Sequence, residues 1–145
     1  MKTRIKTLLE EYKYSCILMN KEKTVMTSFD KGVSPIYKYI KENGVSPIPL
    51  IMGDKIIGKA VALLAIYVGV EYIYTKIISQ GAIDILNSHN IKFDYEEIVP
   101  FINNRKKNGQ CPMEASLSGT INPKKGFNII DTFIKNRELE ECTKW

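Results

Sequence analysis

The sequence predicts a single α/β domain on a mixed five-stranded sheet, with an N-terminal antiparallel hairpin and then parallel strands. Three observations carry that expectation. The length, 145 residues, is that of one ordinary domain with room for a core. Short β-branched and aromatic runs alternate with helical patterns through the middle of the chain, as in a sheet covered on both faces. The stretch from Ile56 to Val70 is apolar with Lys59 as its only charge, which reads as a helix buried inside such a layered domain. At roughly fifteen residues it is too short to span a bilayer, so no membrane association is expected.

The elements follow in order. Ile5, Leu8, Leu9 and Tyr12 share one helical face, so residues 1–13 form an N-terminal helix. Tyr14 to Met19 and Lys23 to Ser28 read as a β-hairpin around Asn20-Lys21-Glu22. Ser34-Pro35 opens a helix that stops near Asn43-Gly44. Pro47 to Met52 reads as a strand, Gly53-Asp54-Lys55 as a turn or loop, and Gly58 to Val68 as a helix. Tyr72 to Ile78 is a strand, Gly81 to Ser88 a short helix and Ile91 to Tyr95 a strand. Glu96 to Asn104 reads as a short helix, Cys111 to Leu117 as the start of another, and Phe127 to Glu141 as a helix. The whole is one domain, with a core over 14–118 and a helical extension over 119–145.

Composition narrows the function classes. Hydrophobic residues at 44% and charged residues at 26% exclude a disordered chain. The net charge of +5 comes from scattered lysines with short clusters at Arg105-Lys106-Lys107 and Lys124-Lys125. That is no dense basic stripe, so nucleic acid is not an expected partner. Cys16, Cys111 and Cys142 are widely spaced, and Met1-Lys2-Thr3-Arg4 has no secretory pattern. Reduced thiols and a cytoplasmic location are expected.

Three segments resemble one family. They are Asp54-Lys55-Ile56-Ile57-Gly58-Lys59-Ala60, the strand Tyr72 to Ser79, and Asn104 through Gly109-Gln110-Cys111-Pro112-Met113-Glu114. Together they look like the domain of unknown function 1893, DUF1893, over roughly residues 14–118. The resemblance implies a cytidine-deaminase-like three-layer α/β/α sandwich, no established activity, and assembly as a homo-oligomer. An apolar patch involving Tyr12, Tyr37, Tyr39 or the Phe101 region would serve that assembly.

Zinc deaminases carry a His or Cys with a catalytic Glu, as H-x-E, at one helix start and P-C-x-x-C at the next. The corresponding positions here read Gly58-Lys59-Ala60 and Ser79-Gln80-Gly81-Ala82. The one histidine, His89, sits at the far end of a helix, as a capping or surface residue does. No metal, no zinc-dependent deamination and no cofactor are expected.

Gly53 to Ala60 nearly spells a phosphate loop, but Ala60 stands where a hydroxyl would hold magnesium and Ile56-Ile57 are too apolar to wrap phosphates. What survives is a helix start at Gly58-Lys59 whose positive dipole end and ammonium group attract an anion. The competing reading makes Gly58 a packing glycine and Lys59 a residue snorkelling to water. Beyond the carboxyl ends of the strands, Asp54, Gly58, Lys59, Ser79 and Gln80 would line one cleft for a small anionic ligand, with Asp54 alternatively a turn residue.

Cys111-Pro112-Met113-Glu114 fits a helix start with Glu114 as its capping carboxylate. The catalytic alternative makes Cys111 a nucleophile or Glu114 a proton carrier in a metal-independent transfer or hydrolysis. Arg105, with Asn103 and Asn104, would add an anion contact or else belong to a solvated basic loop. A small-anion-binding domain, such an enzyme and an oligomeric interaction protein therefore remain the three readings, and whether the chain is an enzyme stays open.

Overall fold

Alternating burial along the strands sorts the side chains into two cores, one on each face of a single sheet. The computed structural model of the protein describes residues 2–21, 23–101, 115–117 and 119–137. Its elements are α1 (Lys2–Tyr12), β1 (Cys16–Asn20), β2 (Lys23–Ser28), α2 (Ser34–Asn43), β3 (Leu50–Ile57), α3 (Lys59–Val68), β4 (Val70–Ser79), α4 (Gln80–Ser88), β5 (Lys92–Val99) and α5 (Pro123–Arg137). The five strands lie in the order β2-β1-β3-β4-β5. The hairpin β1–β2 and the pair β1–β3 are antiparallel, while β3–β4 and β4–β5 are parallel. This is a mixed open sheet in an α/β fold.

One core packs Leu18, Met52 and Ile73 of the sheet against α2, α3, α4 and α5. From Ala60 to Ala65 every residue of α3 is buried, as its nearly charge-free sequence requires. The other core packs Ile17, Met19, Ile51, Tyr72 and Tyr74 under Ile5 and Leu9 of α1. There Gly53 brings the backbone of β3 hard against α1. A β-carbon at that position would collide with Ile5 Cγ2 and lie 3.0 Å from both Ile17 Cγ2 and Leu9 Cδ1.

The third strand departs from the expected layout. It begins at Leu50, after Pro49, and runs through Gly53-Asp54-Lys55 to Ile57. Prolines lack the amide a ladder needs, so the start moves past them. The Gly-Asp-Lys triplet is held extended because it pairs on both sides: Gly53 with Ile17 and Tyr74, Asp54 with Cys16 and Thr75. Two neighbouring strands outweigh the turn preference of three residues. It follows that the stretch resembling a phosphate loop is sheet.

Glu96 to Val99 are likewise strand, not helix, because Glu97, Ile98 and Val99 pair with Ile77, Ile78 and Ser79. The last helix begins at Pro123, four residues before the expected Phe127. Asn122 Oδ1 accepts the amide of Lys125 at 3.0 Å, and proline suits the first helical position. Of the helix expected from Cys111, only Ala115–Leu117 falls among the described residues, with Leu117 buried.

Aromatic and polar contacts fasten α5. The ring of Phe127 stacks on Tyr67 with centroids 4.9 Å apart. The hydroxyl of Tyr37 donates to Asp131 at 2.5 Å, and Lys41 and Lys135 lie 3.4 and 3.0 Å from the same carboxylate. The Tyr37 bond holds Asp131 below the usual carboxylate range, with help from the two lysines. Where α5 crosses α3, a β-carbon on Gly126 would meet Leu63 Cδ1 at 2.8 Å and Leu63 Cβ at 3.2 Å. Gly126→Val is therefore expected to lower stability by about 2 kcal/mol, overpacking outweighing the small gain in helix propensity. Urea unfolding measures the loss, and an unchanged midpoint would contradict the close crossing.

Candidate functional site

Two consecutive strand-to-helix turns place their helix starts side by side. Strands β3 and β4 run parallel with Ile57 opposite Ile78, so Gly58 and Ser79 end neighbouring strands. Gly58 caps α3 in an extended conformation, and the first turn of α3 contains Lys59 and no acidic residue. Ser79 caps α4, its hydroxyl accepting the amide of Ala82 at 3.2 Å, and the first turn of α4 again has no acidic residue. A β-carbon on Gly81 would lie 3.6 Å from Lys59 Cβ and 4.0 Å from Lys59 Cδ. The stem of Lys59 thus passes over Gly81 and joins the two starts into one patch of positive potential.

Four of the expected residues, Gly58, Lys59, Ser79 and Gln80, meet here. Their roles differ. Ser79 is buried and spends its oxygen on the cap. Gln80 is exposed, and its amide nitrogen bonds Asp84 at 3.0 Å one turn along α4. Cys111, Glu114 and Arg105, with Asn103 and Asn104, lie outside the described residues. His89 caps the far end of α4, with Nε2 2.8 Å from the carbonyl of Ile121. Among the described residues no group of three or more His, Cys, Asp or Glu side chains is placed to hold a metal ion.

Asp54 takes a position that sequence reasoning did not anticipate. It lies inside β3, 6% exposed, on a rung with Cys16 of β1 and Thr75 of β4. Its Oδ1 accepts the amide of Ile56 at 3.1 Å, and the Cys16 thiol is its side-chain partner. Burial pushes the carboxyl up to about 8, against the lowering effects of the Ile56 amide, Cys16, the Lys55 amide and the Lys55 charge. Burial also raises the Cys16 thiol well above its ordinary value, and the charge and hydrogen bond of Asp54 raise it further. Cys16 therefore stays a thiol and a donor. Next to Asp54, Thr75 donates to the carbonyl of Ile77 at 3.0 Å, again two residues along its strand.

The rung marks a change of face. Met52 and Ile57 both lie in the core beneath the helices, and so do Ile73 and Ile78. Residues five apart on a regular strand point to opposite sides. Both strands therefore turn within this interval, and they do so together, because Asp54–Thr75, Ile56–Ile77 and Ile57–Ile78 stay in step. No local sequence signal marks Cys16 or Thr75; only the register of three strands unites them with Asp54.

An open groove of about 630 Å³ lies elsewhere, between β2 and α2, with Thr24, Met26, Pro35, Lys38, Tyr39 and Glu42 among its lining residues. Its charges are mixed, Lys38 pairing with Asp30 at 3.1 Å. Shape alone singles it out. The tyrosines named as alternatives for an apolar patch lie in different places. Tyr12 is exposed and stacks on Tyr14, Tyr37 packs near Phe127, and Tyr39 lines the groove. Among the described residues no helix is long and apolar enough to cross a membrane.

The family model of DUF1893, a domain of unknown function, matches residues 4–134. The fold is similar to the crystal structure of a DUF1893 family protein, TM1506, from Thermotoga maritima. The two are 22% identical with a TM-score of 0.81, covering 90% of this chain and 88% of that one. At that identity the likeness establishes the fold alone. No curated protein matches the chain.

Proposed function

Since the chain belongs to the DUF1893 family, we propose that it is a zinc-less, cytidine-deaminase-like domain that binds a small anionic ligand, a nucleotide or nucleoside derivative, across the starts of α3 and α4. The observation that carries this reading is the close approach of Lys59 to Gly81, which makes one site of two helix starts. Each start favours an anion by about 0.3–1 kcal/mol, and more where water is partly excluded. Together with the Lys59 ammonium they provide a few kcal/mol, on the order of millimolar affinity for a bare phosphate. Tighter binding then requires contacts to the sugar or base. Position at the carboxyl ends of parallel strands favours the same place, where ligands of open α/β sheets gather.

A thermal-shift panel of nucleotides, nucleosides and sugar phosphates tests this. At saturation at least one phosphorylated compound is expected to raise Tm by several degrees, given about 2–4 °C per kcal/mol for a chain this size. Lys59→Ala is expected to weaken that compound about tenfold, the loss of one charge contact near 1.4 kcal/mol. No stabilisation by any compound, with Lys59→Ala behaving as wild type, would remove the reading.

A further inference from the structure

Directly upstream of the paired helix starts, β3 and β4 change face together at one buried rung. Three features of that rung stand on geometry. Asp54 and Thr75 are opposite each other, and each bonds its own backbone two residues on, to the Ile56 amide and the Ile77 carbonyl. The residues that follow, Ile57 and Ile78, are fully buried against the helices. Gly58 and Ser79 come next and cap α3 and α4. A shift at the rung therefore reaches both helix starts through a few residues of paired backbone.

We propose that the Cys16–Asp54–Thr75 rung is a proton-operated joint: gain or loss of one proton at Asp54 resets the position of both helix starts. Protonated, Asp54 is a neutral group accepting the Ile56 amide inside the sheet. Ionised, it is a buried charge that, among the described residues acting on it, finds full-charge relief from Lys55 of its own strand. From β1 it faces the Cys16 thiol, and from β4 the uncharged Thr75. Desolvation drives the ionised form to draw in water or additional donors; the Ile56 amide bond tightens on the charged carboxylate, and the bond such a demand loosens is that of the Thr75 hydroxyl to the Ile77 carbonyl. Burial places the transition near pH 8, within reach of ordinary conditions.

A consequence rests on the anion-site reading. Asp54 stands four residues, about 13 Å along the strand, from Gly58. Its charge opposes an anion at the helix starts, so affinity falls as Asp54 ionises, on the order of 3–10-fold at an intermediate dielectric. By linkage a bound anion raises the Asp54 midpoint.

The test uses the full chain, isotope-labelled, in NMR titrations from pH 5.5 to 9.5. Without ligand, the Asp54 carboxyl carbon is expected to titrate near pH 8, and the amides of Ile56, Gly58 and Ala82 to follow the same curve. Asp54→Asn is expected to abolish the coordinated amide shifts. A carboxyl titrating near pH 4, or helix-start amides that ignore its transition, overturns the joint; the wild-type carbon signal decides this even if Asp54→Asn fails to fold. Sulfate, whose charge is constant over this range, then probes affinity at pH 7 and 9. A pH-dependent loss in wild type that is absent from Asp54→Asn supports the coupling. Sulfate binding without the ligand-free titration overturns the joint while leaving the anion site standing. The titration with no sulfate binding supports the joint and counts against the anion site.

Discussion

Gly53→Val is expected to destabilise the protein by about 3 kcal/mol, the upper end of the usual cost of overpacking a core. The position tolerates no side chain because α1 rests directly on it. A β-carbon there collides with Ile5 Cγ2 and crowds Leu9 Cδ1 and Ile17 Cγ2. Relief requires α1 to lift from the sheet, and lifting it uncovers Ile5 and Leu9, each worth about 1.5–3 kcal/mol when buried. Valine's preference for strands works the other way and reduces the loss by less than about 1 kcal/mol. Urea unfolding gives the total, and hydrogen exchange along Lys2–Tyr12 shows whether α1 is the element released. Pairing the change with Ile5→Ala should cost less than the sum of the two single changes, because the smaller residue removes the collision. Full additivity, or a stable Gly53→Val protein with a protected α1, would contradict the close approach.

The pH dependence of stability should show an equally large effect through Asp54. Its carboxyl is raised in the folded state, from 3.8 to about 8. A raised acid contributes stability that is fully present below the unfolded value and is lost as pH rises through the folded one. Folding free energy is therefore expected to decline between about pH 4 and pH 8, by at most about 1.4 kcal/mol per pH unit, and to level off above. Asp131 runs in the opposite sense: its carboxyl is lowered, so its contribution is lost in acid. The difference between wild type and Asp54→Asn isolates the buried group. Asparagine mimics the protonated acid and cannot ionise, so the variant should be close to wild type below about pH 4 and more stable at pH 9, by on the order of 2 kcal/mol or more. Parallel unfolding curves for the two proteins across that range would show that Asp54 titrates as an ordinary exposed carboxylate.

Local patterns made much of this architecture legible. Ile5, Leu8 and Leu9 announced α1, Ser34-Pro35 and Asn43-Gly44 bracketed α2, and the apolar run after Gly58 announced α3. Those are short-range signals of period and capping. The extent of the third strand is not legible because Gly53-Asp54-Lys55 has turn chemistry, and only pairing on both sides holds it extended. The tail of β5 is not legible because an edge strand can carry Asp94, Glu96 and Glu97, which breaks the apolar alternation that marks a strand. The start of α5 is readable in Asn122-Pro123, an acceptor side chain followed by proline, ahead of the apolar pattern that begins at Phe127.

For the candidate site the division is similar. The helix starts at Gly58 and Ser79 follow from glycine and serine next to apolar runs. Their adjacency follows from parallel pairing of consecutive strand–helix units. The rung of Cys16, Asp54 and Thr75 was not legible at all. Its members are 38 and 21 residues apart by their numbers, and they meet only through strand register.

On the proposed reading, the neighbouring starts of α3 and α4 form one anion site. Amide chemical-shift mapping with nucleoside monophosphates tests it most directly. Saturable shifts centred on Gly58–Ala60 and Gln80–Ala82, weakened in Lys59→Ala, are expected. No shift there at about 10 mM ligand, well above the affinity expected for a phosphate group, or shifts confined to the groove between β2 and α2, would contradict it.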